Sequence, residues 1–219
     1  MKENYRSVLS SGKTYRQKEI VINKSRFIGT SYRINSEEEA LDFINMIKEE
    51  YSDATHNVYA YVLGENSNIQ RFSDDGEPSG TAGVPILELI KKEDLRNVVV
   101  VSTRYFGGIK LGGGGLIRAY IKSGKAGLEA GKIILMTLFK KVVIKIDYNS
   151  YGKIENYLLN EKHPVKDTKF DENVNIILYI EDEKWEKFYD DIMDFTNGDV
   201  EIEEEGELHL PVDNGKVVF

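Results

Sequence analysis

The chain has 219 residues and a mass of 25.0 kDa, with 41% hydrophobic and 30% charged residues, a composition that excludes a disordered chain and suffices for a buried core. It has no Cys, hence no disulfide or thiolate metal site; no apolar run approaches a membrane span, and MKENYRSVLSSGKTYRQKEI lacks the apolar centre of a signal peptide, so a cytoplasmic protein without membrane attachment is expected. The charge of −8 is uneven: residues 1–137 hold 19 Lys and Arg against 17 Asp and Glu, and residues 138–219 hold 10 against 20, which places any anion-binding surface in the first part.

In chain order, KEIVINKSRFIGTSYRI (18–34) is strand-like. SEEEALDFINMIKEEY predicts a helix capped by Ser36, with Glu39 at the capping-box position, and NVYAYVL (57–63) a strand. GENSNIQRFSDDGEPSGTAG (64–83) is rich in turn residues and reads as one long loop, of the kind that serves function or motion. VPILELIKKED predicts a short helix with Pro85 in its first turn, and NVVVVSTRY (97–105) a strand buried on both faces. Six glycines follow, Gly107, Gly108, Gly112, Gly113, Gly114 and Gly115, then a helix over 115–131 and an exit strand KIILMTL, with a domain boundary near 137.

The remainder is easier to read. LFKKVVIKIDY alternates as a half-buried strand; SYGKIENYLLNEK is a helix with Ser150 as expected N-cap and His163-Pro164 as its stop. VKDTKF and VNIILYIE are strands joined by an Asp-Glu-Asn turn. Trp185, Phe188, Ile192 and Phe195 form the apolar stripe of a second helix, stopped at Asn197-Gly198, and DVEIEEE is the last strand. The order βαββαβ over 138–205 is the ferredoxin-like arrangement, followed by a tail over 206–219 with no assigned structure.

The glycine corner carries the chemistry. Consecutive side-chain-free amides form a concave anion nest, and a following helix N-terminus adds four unpaired N–H groups and the positive end of its dipole. Arg118, Lys122 and Lys125 line up at i, i+4 and i+7, beside an apolar stripe expected at Leu116, Ile117, Tyr120, Ile121 and Leu128. Lys110 in the loop and Arg104 at the strand end extend the row of cations. The same glycines, with Ala119, Ser123, Ala126 and Gly127, also suit close helix packing, and a charged helix face is also simply a solvated one. The loop ends without Gly-Lys-Ser/Thr and does not fit G-x-G-x-x-G, so it is neither a P-loop nor a dinucleotide fingerprint.

Asp74, Asp75 and Glu77 offer oxygen ligands or acid–base groups, although Ser-Asp-Asp-Gly is also ordinary turn chemistry. No metal or cofactor is expected. Arg71 pairs with these carboxylates or meets phosphate; the sequence does not choose. His56 is a candidate ligand contact, but His56, His163 and His209 are too scattered for a zinc motif, and no serine elbow is present. Tyr59, Tyr61, Tyr105 and Phe106 are candidates to stack on bases, or to fill the core.

DATHNVYAYVL, RFSDDGEPSGTAGVPIL and STRYFGGIKLGGGGLIRAY together resemble the IMPACT family, specifically its bacterial YigZ-like members, strongly over about residues 15–130. The resemblance implies an α+β protein of two domains: a ribosomal-protein-like α/β domain with a left-handed βαβ crossover, and a ferredoxin-like domain similar to the last domain of translocation elongation factor G. Eukaryotic members regulate translation initiation under stress through a further domain, so that mechanism does not carry over. The family's glycine-rich motif falls on Arg104 to Tyr120 and its acidic loop on Arg71 to Gly83. The expected function is non-enzymatic binding of RNA or the ribosome. Two alternatives stand beside it: an enzyme holding a phosphorylated small molecule or nucleotide at the glycines, and an adaptor using the acidic second domain for a protein partner.

Overall fold

A computed structural model describes residues 4–9 and 15–218; the portions of the expected first domain and tail that fall on residues 1–3, 10–14 and 219 lie outside the described residues. The chain is an α+β protein of two compact units, one over Tyr5–Leu135 and one formed mainly by the residues from Met136 onward. Among the described residues no helix is long and apolar enough to cross a membrane.

The first unit runs β1 (Tyr5–Val8), β2 (Arg16–Ile22), β3 (Ser25–Arg33), α1 (Glu37–Glu50), β4 (His56–Leu63), β5 (Ile69–Ser73), α2 (Gly83–Lys92), β6 (Val98–Tyr105) and α3 (Gly113–Gly131). Its sheet has the order β2-β3-β6-β4-β5 with antiparallel neighbours, so β3 and β4 are parallel with β6 between them and α1 as their crossover. The strand-like run 18–34 is a hairpin, because Asn23 and Lys24 take positive φ (46° and 65°) and turn the chain in two residues. The expected long loop is interrupted by β5, and its acidic stretch is what remains.

Alternation along β6 explains its uninterrupted apolar run. Val98 and Val100 pack under α2 and α3 with Phe27, Val58 and Ala60, while Val99 and Val101 pack under α1 with Phe43, Tyr61 and Leu63. The sheet is thus covered on both faces. Helix α3 lies close to the sheet through small residues. A Cβ on Gly29 would sit 1.9 Å from the Ser123 carbonyl oxygen, Ser31 Oγ donates to the Gly127 carbonyl (2.9 Å), and Ser102 and Ser123 share a hydroxyl bond (2.7 Å). Close helix packing is therefore a genuine use of the glycines in the middle of α3.

The second unit contains most of β7 (Ile133–Ile146), then α4 (Tyr148–Asn160), β8 (Val165–Phe170), β9 (Val174–Glu181), α5 (Trp185–Thr196), β10 (Glu201–Asp213) and β11 (Lys216–Val217). The order β10-β7-β9-β8 is the ferredoxin-like one, with Ile154, Leu158, Phe188 and Ile192 of the helices packed on Ile144, Ile176 and Leu178. Asp147, not Ser150, caps α4: its carboxylate accepts the Ser150 N–H at 2.8 Å. The expected tail continues β10 and turns at Asn214-Gly215 into β11.

His163, buried against Tyr157 and Phe188, has its pKa lowered to about 4, chiefly by burial. It is held neutral in the fold, so its contribution is complete above the unfolded value near 6.5 and is lost as pH falls from there toward 4. Trp185, the single Trp, packs on Phe188 and reports on this unit. Urea unfolding followed by Trp185 fluorescence is expected to show a loss on the order of 3 kcal/mol across that window, and His163→Leu is expected to flatten the dependence.

Candidate functional site at the start of helix α3

Register sets three side chains in a row across the sheet: Phe27 of β3 lies opposite Arg104 of β6, which lies opposite His56 of β4, all on the face covered by α2 and α3. Onto this row the segment after β5 lowers Glu77, whose side chain is 4% exposed. Glu77 Oε1 accepts from Arg104 Nη1 and from the Tyr120 hydroxyl of α3 (2.7 Å), and His56 Nε2 is 3.8 Å away. Burial first, and the Glu77 bond second, push the Tyr120 pKa far above its ordinary value, so its hydroxyl remains a donor. Arg104 also reaches Ser25 Oγ (3.4 Å), and its guanidinium carbon lies 5.3 Å from the Phe27 ring centroid and 5.5 Å from that of Phe106.

The acidic segment is held by its own carboxylates. Asp74 accepts the amides of Gly80 (2.8 Å), Ala82 (3.0 Å) and Gly83 (2.8 Å), which fixes the start of α2. Asp75 accepts the Asn57 amide (2.6 Å) and pairs with Lys48 (2.9 Å). Its carbonyl lies 2.7 Å from His56 Nδ1, and since a carbonyl only accepts, the Nδ1 N–H donates to it while Nε2 faces Glu77. Asp74, Asp75 and Glu77 thus face three different sets of partners rather than one cation. Among the described residues no cluster of three or more His, Asp or Glu has the arrangement of a metal site.

Arg71 joins none of this. It stands opposite Tyr61 on β5, on the α1 face, with its Nε 3.7 Å from Glu37; strand alternation sends it to the far side of the sheet from Glu77. Arg104 likewise does not extend an exposed row of cations, being 5% exposed and committed to Glu77.

The glycines divide by role. Gly107 is a packing glycine, since a Cβ there would come within 2.1 Å of the Lys24 backbone; its amide donates to Ser25 Oγ (3.2 Å). Gly113, Gly114 and Gly115 are not loop but the first turn of α3, which begins two residues before the expected start, with Gly112 (φ 69°) as N-cap. First-turn amides have no intrahelical acceptor, so glycine there costs entropy without costing hydrogen bonds. α3 has neither a side-chain cap nor an acidic residue in its first turn. Nothing lies within 4 Å of a Cβ built on Gly108 or Gly112, and Gly113 meets only Thr81 at 3.9 Å.

Arg118 lies along this first turn, its Nη1 3.6 Å from where a Gly114 Cβ would stand. It shares the exposed stripe of α3 with Lys122 and Lys125, and Lys110 is exposed in the loop; among the described residues none of the four has an ion pair. Ile117 and Ile121, expected in the buried stripe, are each 37% exposed among these cations, because Leu116, Ala119, Tyr120 and Ser123 already fill the contact with the sheet. The signals missed in the sequence are the Tyr120 hydroxyl, hidden in an apolar stripe, and Ser25, at a strand start. Tyr61 is core, while Phe106 is 47% exposed.

Two family models match: the Impact N-terminal domain over residues 23–128, which contains the whole glycine corner, and a domain of unknown function, DUF1949, over residues 144–199. The IMPACT family member YvyE of Bacillus subtilis is 46% identical over 208 residues, which is 95% of this chain and 94% of that protein. The chain belongs to the IMPACT family. The family member YigZ of Escherichia coli is 30% identical over 183 residues, covering 83% of this chain and 90% of its own. A crystal structure of a hypothetical protein superposes with a TM-score of 0.58 at 28% identity, over 94% of this chain and all of that one (100%).

Elsewhere in this IMPACT-family chain, a cavity of about 340 Å³ in the second unit is lined by Tyr151, Glu155, Leu158, His163, Val165 and Ile176, none of them singled out as site residues in the sequence. On β10 of that unit Glu201 and Glu204 pair with Lys145 (2.9 Å) and Lys140 (3.2 Å) of β7, and Glu205 pairs with Lys141.

Removing Glu77 strands the Arg104 guanidinium in a buried site. Glu77→Ala is expected to cost about 3–5 kcal/mol in urea denaturation followed by circular dichroism, whereas Glu77→Leu with Arg104→Met is expected to recover much of it, since the isolated charge and not the missing contact is the main cost.

Proposed function

We propose that this protein is a non-enzymatic, cytoplasmic RNA-binding protein that works on the translation machinery, and that the RNA docks on the corner where α3 begins. The observation that carries this reading is the position of Arg118. Its guanidinium lies beside the first turn of a helix without a side-chain cap, at the positive end of the dipole, with Lys122 one turn further along and no carboxylate paired to either among the described residues. Cations and helix start repel one another there by a few tenths of a kcal/mol per pair, and a phosphate would relieve both. The open space above Gly108, Gly112 and Gly113 is consistent with a phosphate meeting amides directly. Membership of the IMPACT family supports the translational setting.

Amides of Gly113–Gly115 and the guanidinium of Arg118 hold one phosphate, Lys122 and Lys125 follow the backbone along the helix, and Lys110 closes from the loop. Glu77, Arg104 and Tyr120 keep the helix start in register with the sheet and do not touch RNA.

Filter binding of ribosomal RNA against salt tests this. Arg118→Ala with Lys122→Ala is expected to weaken binding at every sequence and to reduce the slope of log K against log salt by roughly 0.7 to 0.9 per lost cation. Unchanged affinity and slope would remove the reading. A thermal shift with micromolar ATP and Mg²⁺ in place of RNA binding would instead favour an enzyme of phosphorylated small molecules.

A further inference from the structure

The cations of this corner share their surface with large apolar side chains. Phe106 is 47% exposed and Ile109 42%, both in the loop with Lys110, and Ile117 and Ile121 are 37% exposed on the stripe that holds Arg118 and Lys122. Exposed apolar groups of this size are ordinary when scattered, but here they interleave with cations that have no ion pair among the described residues, around one loop and one helix face.

Phe106 is also held in place. Its amide donates to Thr55 Oγ1 (3.0 Å), the next amide donates to Ser25 Oγ (3.2 Å), and the buried Arg104 guanidinium lies 5.5 Å from the ring centroid. Through Arg104 the ring is tied to Phe27, which meets Tyr120 edge-on at 5.4 Å. Beside it the chain is bare: Gly108, at φ +83°, has nothing within 4 Å of a built Cβ. A fixed ring, half open, thus stands at the end of β6, seven residues before the α3 first turn and its unsatisfied amides.

A duplex offers this surface only phosphate and sugar, because its base faces are stacked on one another, and the apolar groups would lose water contact for nothing. A single strand offers base faces beside each phosphate, and a groove that pairs cations with aromatic platforms is the general solution for holding one. Resting on the RNA reading above, we infer that the RNA taken by this corner is single-stranded, with one base stacked on Phe106, the adjoining phosphate on the α3 N-terminus, and the strand continuing over Ile117 and Ile121 along a stripe about 16 Å long from Gly114 to Lys125.

Fluorescence anisotropy on the full chain, with a labelled oligoribonucleotide of about 12 residues free or annealed to its complement, tests this. The single strand is expected to bind at least about tenfold more tightly than the duplex. Phe106→Ala is expected to weaken single-strand binding about tenfold without changing the salt slope, because stacking releases no counterions, and Phe106→Tyr to bind as the parent does. Equal affinity for both forms, or no loss in Phe106→Ala, overturns the single-strand assignment and leaves polyanion binding standing. Binding to neither form overturns the RNA reading itself.

Discussion

A single carboxylate oxygen, Oε1 of Glu77, is the point on which the first unit's candidate site is built. It takes a charged donor from the sheet, Arg104, and a hydroxyl from the helix, Tyr120, while the segment that carries it is fastened by Asp74 to the start of α2. Apolar contacts between sheet and helix tolerate sliding; a shared buried acceptor does not, because any displacement leaves a charge unpaired in a medium that cannot solvate it. Beyond Glu77 the helix is laid so close to β3 that only glycine fits at position 29. Together these two constraints fix where α3 begins.

What they fix is a helix end arranged against its own electrostatics. N-termini ordinarily attract Asp, Glu or a Ser cap, and α3 has none of them. It has Arg118 beside its first turn instead, with further cations on the same stripe and apolar side chains between them. The second unit treats its charge differently. Glu201, Glu204 and Glu205 of β10 pair with Lys145, Lys140 and Lys141 of β7, so the cations of this unit's strand pair are taken up by its own carboxylates.

Most of the fold could be read along the chain. The two-sided burial of β6 followed from its unbroken Val run, and the ferredoxin-like order followed from strand alternation and the helical stripes around Ile154 and Phe188. Boundaries were less legible. Asn23-Lys24 is not among the dipeptides that announce a two-residue turn, so one strand-like run concealed a hairpin. Gly113 and Gly114 looked like loop because glycine is poor in helix interiors, yet the first turn demands no partner for its amides. Ile117 and Ile121 match helical periodicity as well as Leu116 and Tyr120 do, but the small residues at 119 and 123 draw the helix in on one side only.

For the candidate site, the sequence alone determined its ingredients: glycines before a helix, a row of cations at i, i+4 and i+7, an acidic segment, and two aromatics, Tyr105 and Phe106, beside the glycines. Those are properties of neighbours along the chain, which local spacing and propensity control. The tertiary structure alone decided which charges are spent inside and which remain outside. Arg104 and Glu77 are 27 positions apart and neutralise each other in the core, Arg71 is carried to the opposite face by one step of strand alternation, and Arg118 is left over the helix end without a counterion among the described residues. Register and burial sort like residues into structural and available ones, and both depend on contacts that no local window contains.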